Sequence, residues 1–127
     1  MQQNKIVIAF CGLMASGKDT SALYLKEKHG ASIYSFSTML EDALRRFYLE
    51  FNRDNLIKMS EMIRGTFGED IMAKTMGKDV ERDQNNLVVV SNARRIADVE
   101  HLSKLPNYVL VEIFADPKIR YERILCI

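Results

Sequence analysis

Gly12, Gly17 and Lys18 stand in the spacing G-x-x-x-x-G-K, inside the stretch Ile6 to Thr20 that reads IVIAFCGLMASGKDT. Residues of these types at this spacing can hold phosphate. Glycines admit backbone angles that a Cβ forbids, so successive N–H groups can turn inward around an anion. A helix that starts directly after the loop aims its unpaired N–H groups and the positive end of its dipole at the same place. Lys18 adds a full charge able to reach the β- and γ-phosphates of a nucleotide. The competing reading is a glycine-rich turn that happens to precede a lysine. Context favours phosphate: an apolar run leads in, and a helix-forming run from Ser21 to His29 leads out, with Gly30 as its stop. The expected nucleotide-binding residues are therefore Gly12, Leu13, Met14, Ala15, Ser16, Gly17, Lys18, Asp19 and Thr20.

Position 19 departs from the pattern, which calls for Ser or Thr beside the lysine as a magnesium ligand. A carboxylate next to a triphosphate is repelled unless a cation lies between them. Asp19 either binds Mg²⁺, directly or through water, or complements the helix dipole from the first turn. Thr20 offers a hydroxyl one place later. Asp19 and Thr20 are the candidate metal ligands.

The elements that must position this loop follow from the apolar pattern. Lys5 to Phe10 is nearly all apolar, as a parallel strand covered on both faces requires. Ala31 to Phe36 alternates and predicts a second strand. Ser37 or Thr38 then caps a long amphipathic helix whose stripe runs through Met39, Leu40, Ala43, Leu44, Phe47, Tyr48 and Phe51. Asp54 caps a third helix of about 55–66, and a short helix of about 69–76 ends at Gly77. The polar segment 78–86 predicts a surface loop. Leu87 to Val90 is a buried strand, 96–105 a helix, and Tyr108 to Phe114 the last strand. Asp116 and Pro117 give N-cap and first-turn signals for a final helix. His29 and His101 sit alone on helices and are expected at the surface.

This order predicts a single α/β domain over 1–127, a parallel sheet of about four strands with helices on both faces. Ligands then bind outside the carboxyl ends of the strands. The glycine loop, Ser37 with Thr38, and the loop Ser91 to Arg95 all fall there.

Bulk properties narrow the field. The chain has 127 residues, 47% hydrophobic and 28% charged, an ordinary balance for a globular domain. Eighteen Lys and Arg face 17 acidic residues, so no global field draws in nucleic acid or an anionic membrane. Cys11 and Cys126 lack framework spacing, which suits a reducing compartment. No run approaches membrane-spanning length, and the N-terminus lacks signal-peptide architecture. The expectation is a cytoplasmic chain with no nucleic-acid or membrane partner.

Several stretches together resemble the P-loop nucleotide kinases, in particular the archaeal adenylate-kinase-related and dephospho-coenzyme-A-kinase-like group and the viral deoxynucleoside monophosphate kinases. They are Gly12 to Thr20 with its G-K-D-T ending, Phe36 to Leu44, Ile63 to Ile71, Val88 to Arg94 with Ala97 to Glu100, and Ala115 to Arg123. The resemblance implies an ATP-dependent phosphotransferase using Mg²⁺ and a small-molecule phosphate acceptor. It implies a helical acceptor-binding insertion at about 38–77. Arg64 and Arg94 would fix the acceptor phosphate, since a planar guanidinium pairs with two phosphate oxygens at once. A surface ion pair is the rival reading for Arg64, and Arg95 stands in reserve for Arg94. Arg120 and Arg123 would point toward a lid.

The chain also departs from that family. Thr38 and Ser91 stand where the family often has acidic residues. The lid, a fifth strand and an adenine loop have no counterpart before Ile127, so the resemblance implies a C-terminally truncated chain. An exposed sheet edge would then favour a homo-oligomer. The alternative to a kinase is a nucleotide-binding protein without transferase activity.

Overall fold

Successive side chains of a strand point to opposite faces, and a computed structural model, which describes residues 5–93 and 96–125, divides the apolar residues of β1 and β3 between the two faces of one sheet. The strands are β1 (Ile6–Cys11), β2 (Ser32–Tyr34), β3 (Leu87–Val90) and β4 (Tyr108–Glu112). All pair in parallel in the order β2-β3-β1-β4, which makes the glycine-loop strand central and β4 an edge. The helices are α1 (Lys18–His29), α2 (Phe36–Arg46), α3 (Arg53–Phe67), α4 (Ile71–Arg82), α5 (Ile96–Leu102) and α6 (Pro117–Leu125). This is the α/β architecture expected from the sequence, with helices on both faces.

Val7 and Ala9 of β1 and Val88 and Val90 of β3 point to one face. There they meet Leu40 and Leu44 of α2, Met59 of α3, Met72, Met76 and Val80 of α4, and Leu102 of α5. Phe10 and Val89 point to the other face and meet Ala22 of α1. At the base of the sheet the buried Lys5 ammonium donates to the carbonyls of Val80 (2.8 Å), Glu81 (3.1 Å) and Asp83. Those acceptors close the C-terminus of α4, where helical carbonyls lack partners. Tyr34 Oη donates to Asp83 Oδ2 at 2.6 Å, and Ser32 Oγ to Asp83 Oδ1 at 3.2 Å. Burial alone would raise the Asp83 carboxyl, but these donors, the Asn85 N–H and the Lys5 charge outweigh it and hold the group below its ordinary value. Burial, then the Asp83 hydrogen bond and charge, push the Tyr34 phenol up to about 12.

Several boundaries differ from the sequence reading. α2 begins at Phe36 with Ser35 as its cap, the Ser35 side chain accepting from the Thr38 N–H, so Ser37 and Thr38 lie inside the first turn. α2 also stops early. Tyr48 takes a left-handed φ of 59°, and the N–H groups of Phe47 and Leu49 both fold back on the Leu44 carbonyl. Phe47, Tyr48 and Phe51, expected in the core stripe, are thereby turned out to solvent. Asn52, not Asp54, caps α3, its side chain accepting from the Asn55 N–H at 2.8 Å. α4 runs through Gly77 to Arg82, replacing most of the expected 78–86 loop, because Met72, Ala73, Met76 and Val80 bury one continuous stripe. α5 ends at Leu102, and β4 at Glu112. His29 is exposed as expected, but His101 is half-buried, with Nε2 3.2 Å from Asp70 Oδ2.

Candidate functional site

The glycine loop leaves the carboxyl end of β1 and enters α1 without a break. Gly17 caps α1 at φ 108°, and the Ser21 N–H reaches its carbonyl at 2.9 Å. Gly12 takes φ 148°, and any Cβ there would lie 2.4 Å from the Ile113 carbonyl oxygen and 2.9 Å from Ser16 Oγ. Only glycine fits against the backbone leaving β4. Ala15 is held at φ 61°, an unusual conformation for a residue with a Cβ, so the loop is bent more sharply than an ordinary turn.

Lys18 folds back over the loop. It is 8% exposed, and its Nζ donates to the Gly12 carbonyl at 2.5 Å. Arg123, from α6, donates from Nη1 to the Ala15 carbonyl at 2.7 Å. Together they border a cavity of about 560 Å³ lined by Ala15 to Ser21, Ile113 and Arg123. Within it, Ser16 Oγ is buried and has no hydrogen-bond partner among the described residues. Asp19 and Thr20 are exposed at its wall. Leu13 and Met14 project outward, 64% and 69% exposed, and do not line it.

The residues present fit a phosphate chain: a cradle that a Cβ would fill, two cations over loop carbonyls, a helix N-terminus and an orphaned hydroxyl. No group of three or more His, Cys, Asp or Glu able to hold a metal exists among the described residues. A magnesium ion here would therefore share its ligands between Asp19 or Thr20 and phosphate oxygens.

The other expected site residues are dispersed. Arg64 lies in the last turn of α3, donates to Ser60 Oγ, and is not among the residues lining the loop cavity. Arg94 and Arg95 lie outside the described residues. Ser91, 4% exposed at the end of β3, uses its N–H and hydroxyl on the Tyr34 carbonyl, at 2.9 and 3.4 Å. Thr38 shares a 2.7 Å hydrogen bond with Ser35 Oγ. Arg123 is the residue the sequence undervalued. Its partner Ala15 is 108 positions away, and nothing local to either marks the contact.

No family model matches the chain. Among curated proteins it is 25% identical over 121 residues to a UPF0200 protein of Hyperthermus butylicus, a match covering 95% of this chain and 64% of the relative. It is 28% identical over 120 residues to a UPF0200 protein of Sulfurisphaera tokodaii, covering 94% and 64%. The chain thus spans less than two thirds of these relatives' length. Among solved structures, shikimate kinase from Acinetobacter baumannii in complex with shikimate superposes with a TM-score of 0.55 at 15% identity, over 95% of this chain and 63% of that one. A gluconokinase from Sinorhizobium meliloti gives 0.54 at 13%, over 98% and 65%. TT1252 from Thermus thermophilus gives 0.56 at 18%, over 96% and 72%. At these identities the likeness is one of fold: the chain shares the α/β fold of these structures, shikimate kinase and a gluconokinase among them.

Proposed function

We propose that the chain is the core of an ATP-dependent phosphotransferase acting on a nucleoside monophosphate or a nucleotide-like metabolite such as dephospho-coenzyme A. The observation that carries this reading is the glycine loop with Lys18 and Arg123 converging on its carbonyls. Phosphoryl transfer asks mostly for positioning and charge neutralisation, and this site is built from those two things. Loop amides and the α1 N-terminus bind the phosphate chain, and Lys18 exchanges the Gly12 carbonyl for phosphate oxygens. Asp19 and Thr20 would hold Mg²⁺, which would supply charge neutralisation for phosphoryl transfer. Arg64, within a helical insertion of about 38–77, and Arg94, in the loop that follows β3, orient the acceptor phosphate. ADP release with a panel of nucleoside monophosphates and dephospho-coenzyme A tests the reading. Lys18→Ala should lower kcat/KM by about 100-fold or more, and unchanged transfer in that variant overturns the proposal.

One observation favours a second reading, a nucleotide-binding protein without transferase activity. Ser91, at the end of β3, and Thr38, in the first turn of α2, stand where a carboxylate would activate an acceptor, and both hydroxyls are engaged with neighbouring oxygens. Glu41, a nearby acid, is paired with Arg45 at 2.5 Å. This reading predicts saturable ATP or ADP binding with no turnover on any acceptor in the panel.

A further inference from the structure

Helices α4 and α5, with the turn after α5, line a groove of about 400 Å³ that shares no lining residue with the loop cavity. Its charge is one-sided. Lys74 and Lys78 line it from α4, His101 and Lys104 from α5 and the turn beyond, and Glu81 is the single carboxylate in the lining. Lys74 reaches Asp70 Oδ2 at 3.3 Å, and His101 shares the same oxygen, so one carboxylate at the groove's edge answers both. Lys78 and Lys104 have no ion pair among the described residues. Both are exposed, and ammonium groups lining one groove repel each other unless an anion lies between them.

Gly77 forms part of the same lining, in the middle of α4. Glycine inside a helix costs stability relative to alanine. Here neither turn geometry nor packing asks for it: the position is helical, and a Cβ would meet nothing within 4 Å. What glycine does provide is an open channel between the two lysine-bearing walls, with Ile71 and Leu105 as apolar flanks.

We propose that this groove is a second anion site, taking the phosphate group of a small organic phosphate between Lys78 and Lys104 while its apolar part rests on Ile71 and Leu105. The site lies on the helix-packed face of the sheet and is independent of phosphate binding at the glycine loop.

The test is a titration of ¹⁵N-labelled protein with inorganic pyrophosphate at constant ionic strength, followed amide by amide. Saturable shifts are expected over residues 74–78 and 101–105, and they persist in Lys18→Ala. Lys78→Ala and Lys104→Ala should each weaken the groove response by about tenfold while the loop response stays intact. Gly77→Leu should raise Tm and abolish the groove response, separating occlusion from unfolding. Groove shifts that are absent, that fail to saturate, that chloride reproduces, or that survive removal of both lysines overturn the proposal.

Discussion

The two faces of the sheet are made by the same strands, yet one is closed and the other is half open. On the first, α2 to α5 cover β1 and β3 so completely that Val88, Val90 and Val80 retain no accessible surface. On the second, among the described residues, α1 covers the sheet through Ala22. Ile6 and Val109 remain 45% and 48% exposed, and α6 buries none of its side chains. The glycine loop sits at the end of the strand these faces share. The closed face supports the strand that carries the loop, and the loop cavity is lined by Ala15 to Ser21, Ile113 and Arg123.

The largest effects should come from cutting into the closed face. Leu44→Ala or Met76→Ala removes a fully buried side chain and should cost about 2–5 kcal/mol in urea unfolding. Val109→Ala on the open face should cost less than about 1 kcal/mol. Equal losses would break the comparison.

Gly12→Ala comes next, at the seam between the faces. Its Cβ must displace the Ile113 carbonyl, so about 1–3 kcal/mol of strain is expected together with loss of nucleotide affinity. Calorimetry with ATP reads the second effect separately.

Asp83→Asn should have a smaller cost, on the order of 1 kcal/mol. Its pH dependence is the sharper readout. The lowered native carboxyl contributes stability that is complete above its ordinary value of 3.8 and fades as pH falls through and below it. The raised Tyr34 phenol contributes stability that declines as pH rises from 10 toward 12. Stability curves in acid should converge for the wild type and Asp83→Asn, and parallel curves would remove Asp83 from the account.

The smallest effect on folding attaches to the open face, where two copies of the chain are expected to associate through β4. Val109→Lys should abolish a concentration-dependent mass in light scattering while changing stability by no more than about 0.5 kcal/mol. A monomer at high concentration before mutation would refute the association.

Sequence reading succeeded where the chemistry is local. The glycine loop is contiguous, β1 and β3 are runs of apolar residues, and Asp116 with Pro117 announces α6. It failed where distant packing decides. The apolar period of α2 continues to Phe51, but the left-handed turn at Tyr48 ends the helix and throws the last aromatics outward. Gly77 reads as a stop, yet the stripe through Met76 and Val80, closed by Lys5 from the other end of the chain, carries α4 past it. Arg123 shares no local pattern with the loop it touches.

The Lys5 ammonium has a consequence for the order in which the protein can be made. Its carbonyl partners come 75 to 78 residues later in the chain, and the strands that flank β1 begin only at Leu87 and Tyr108. During synthesis the central strand emerges first and is paired among the last. Such a high-contact-order strand stays uncovered while most of the chain is still being translated. The glycine loop, carried on that strand, lies against the Ile113 carbonyl, so that contact awaits the synthesis of β4.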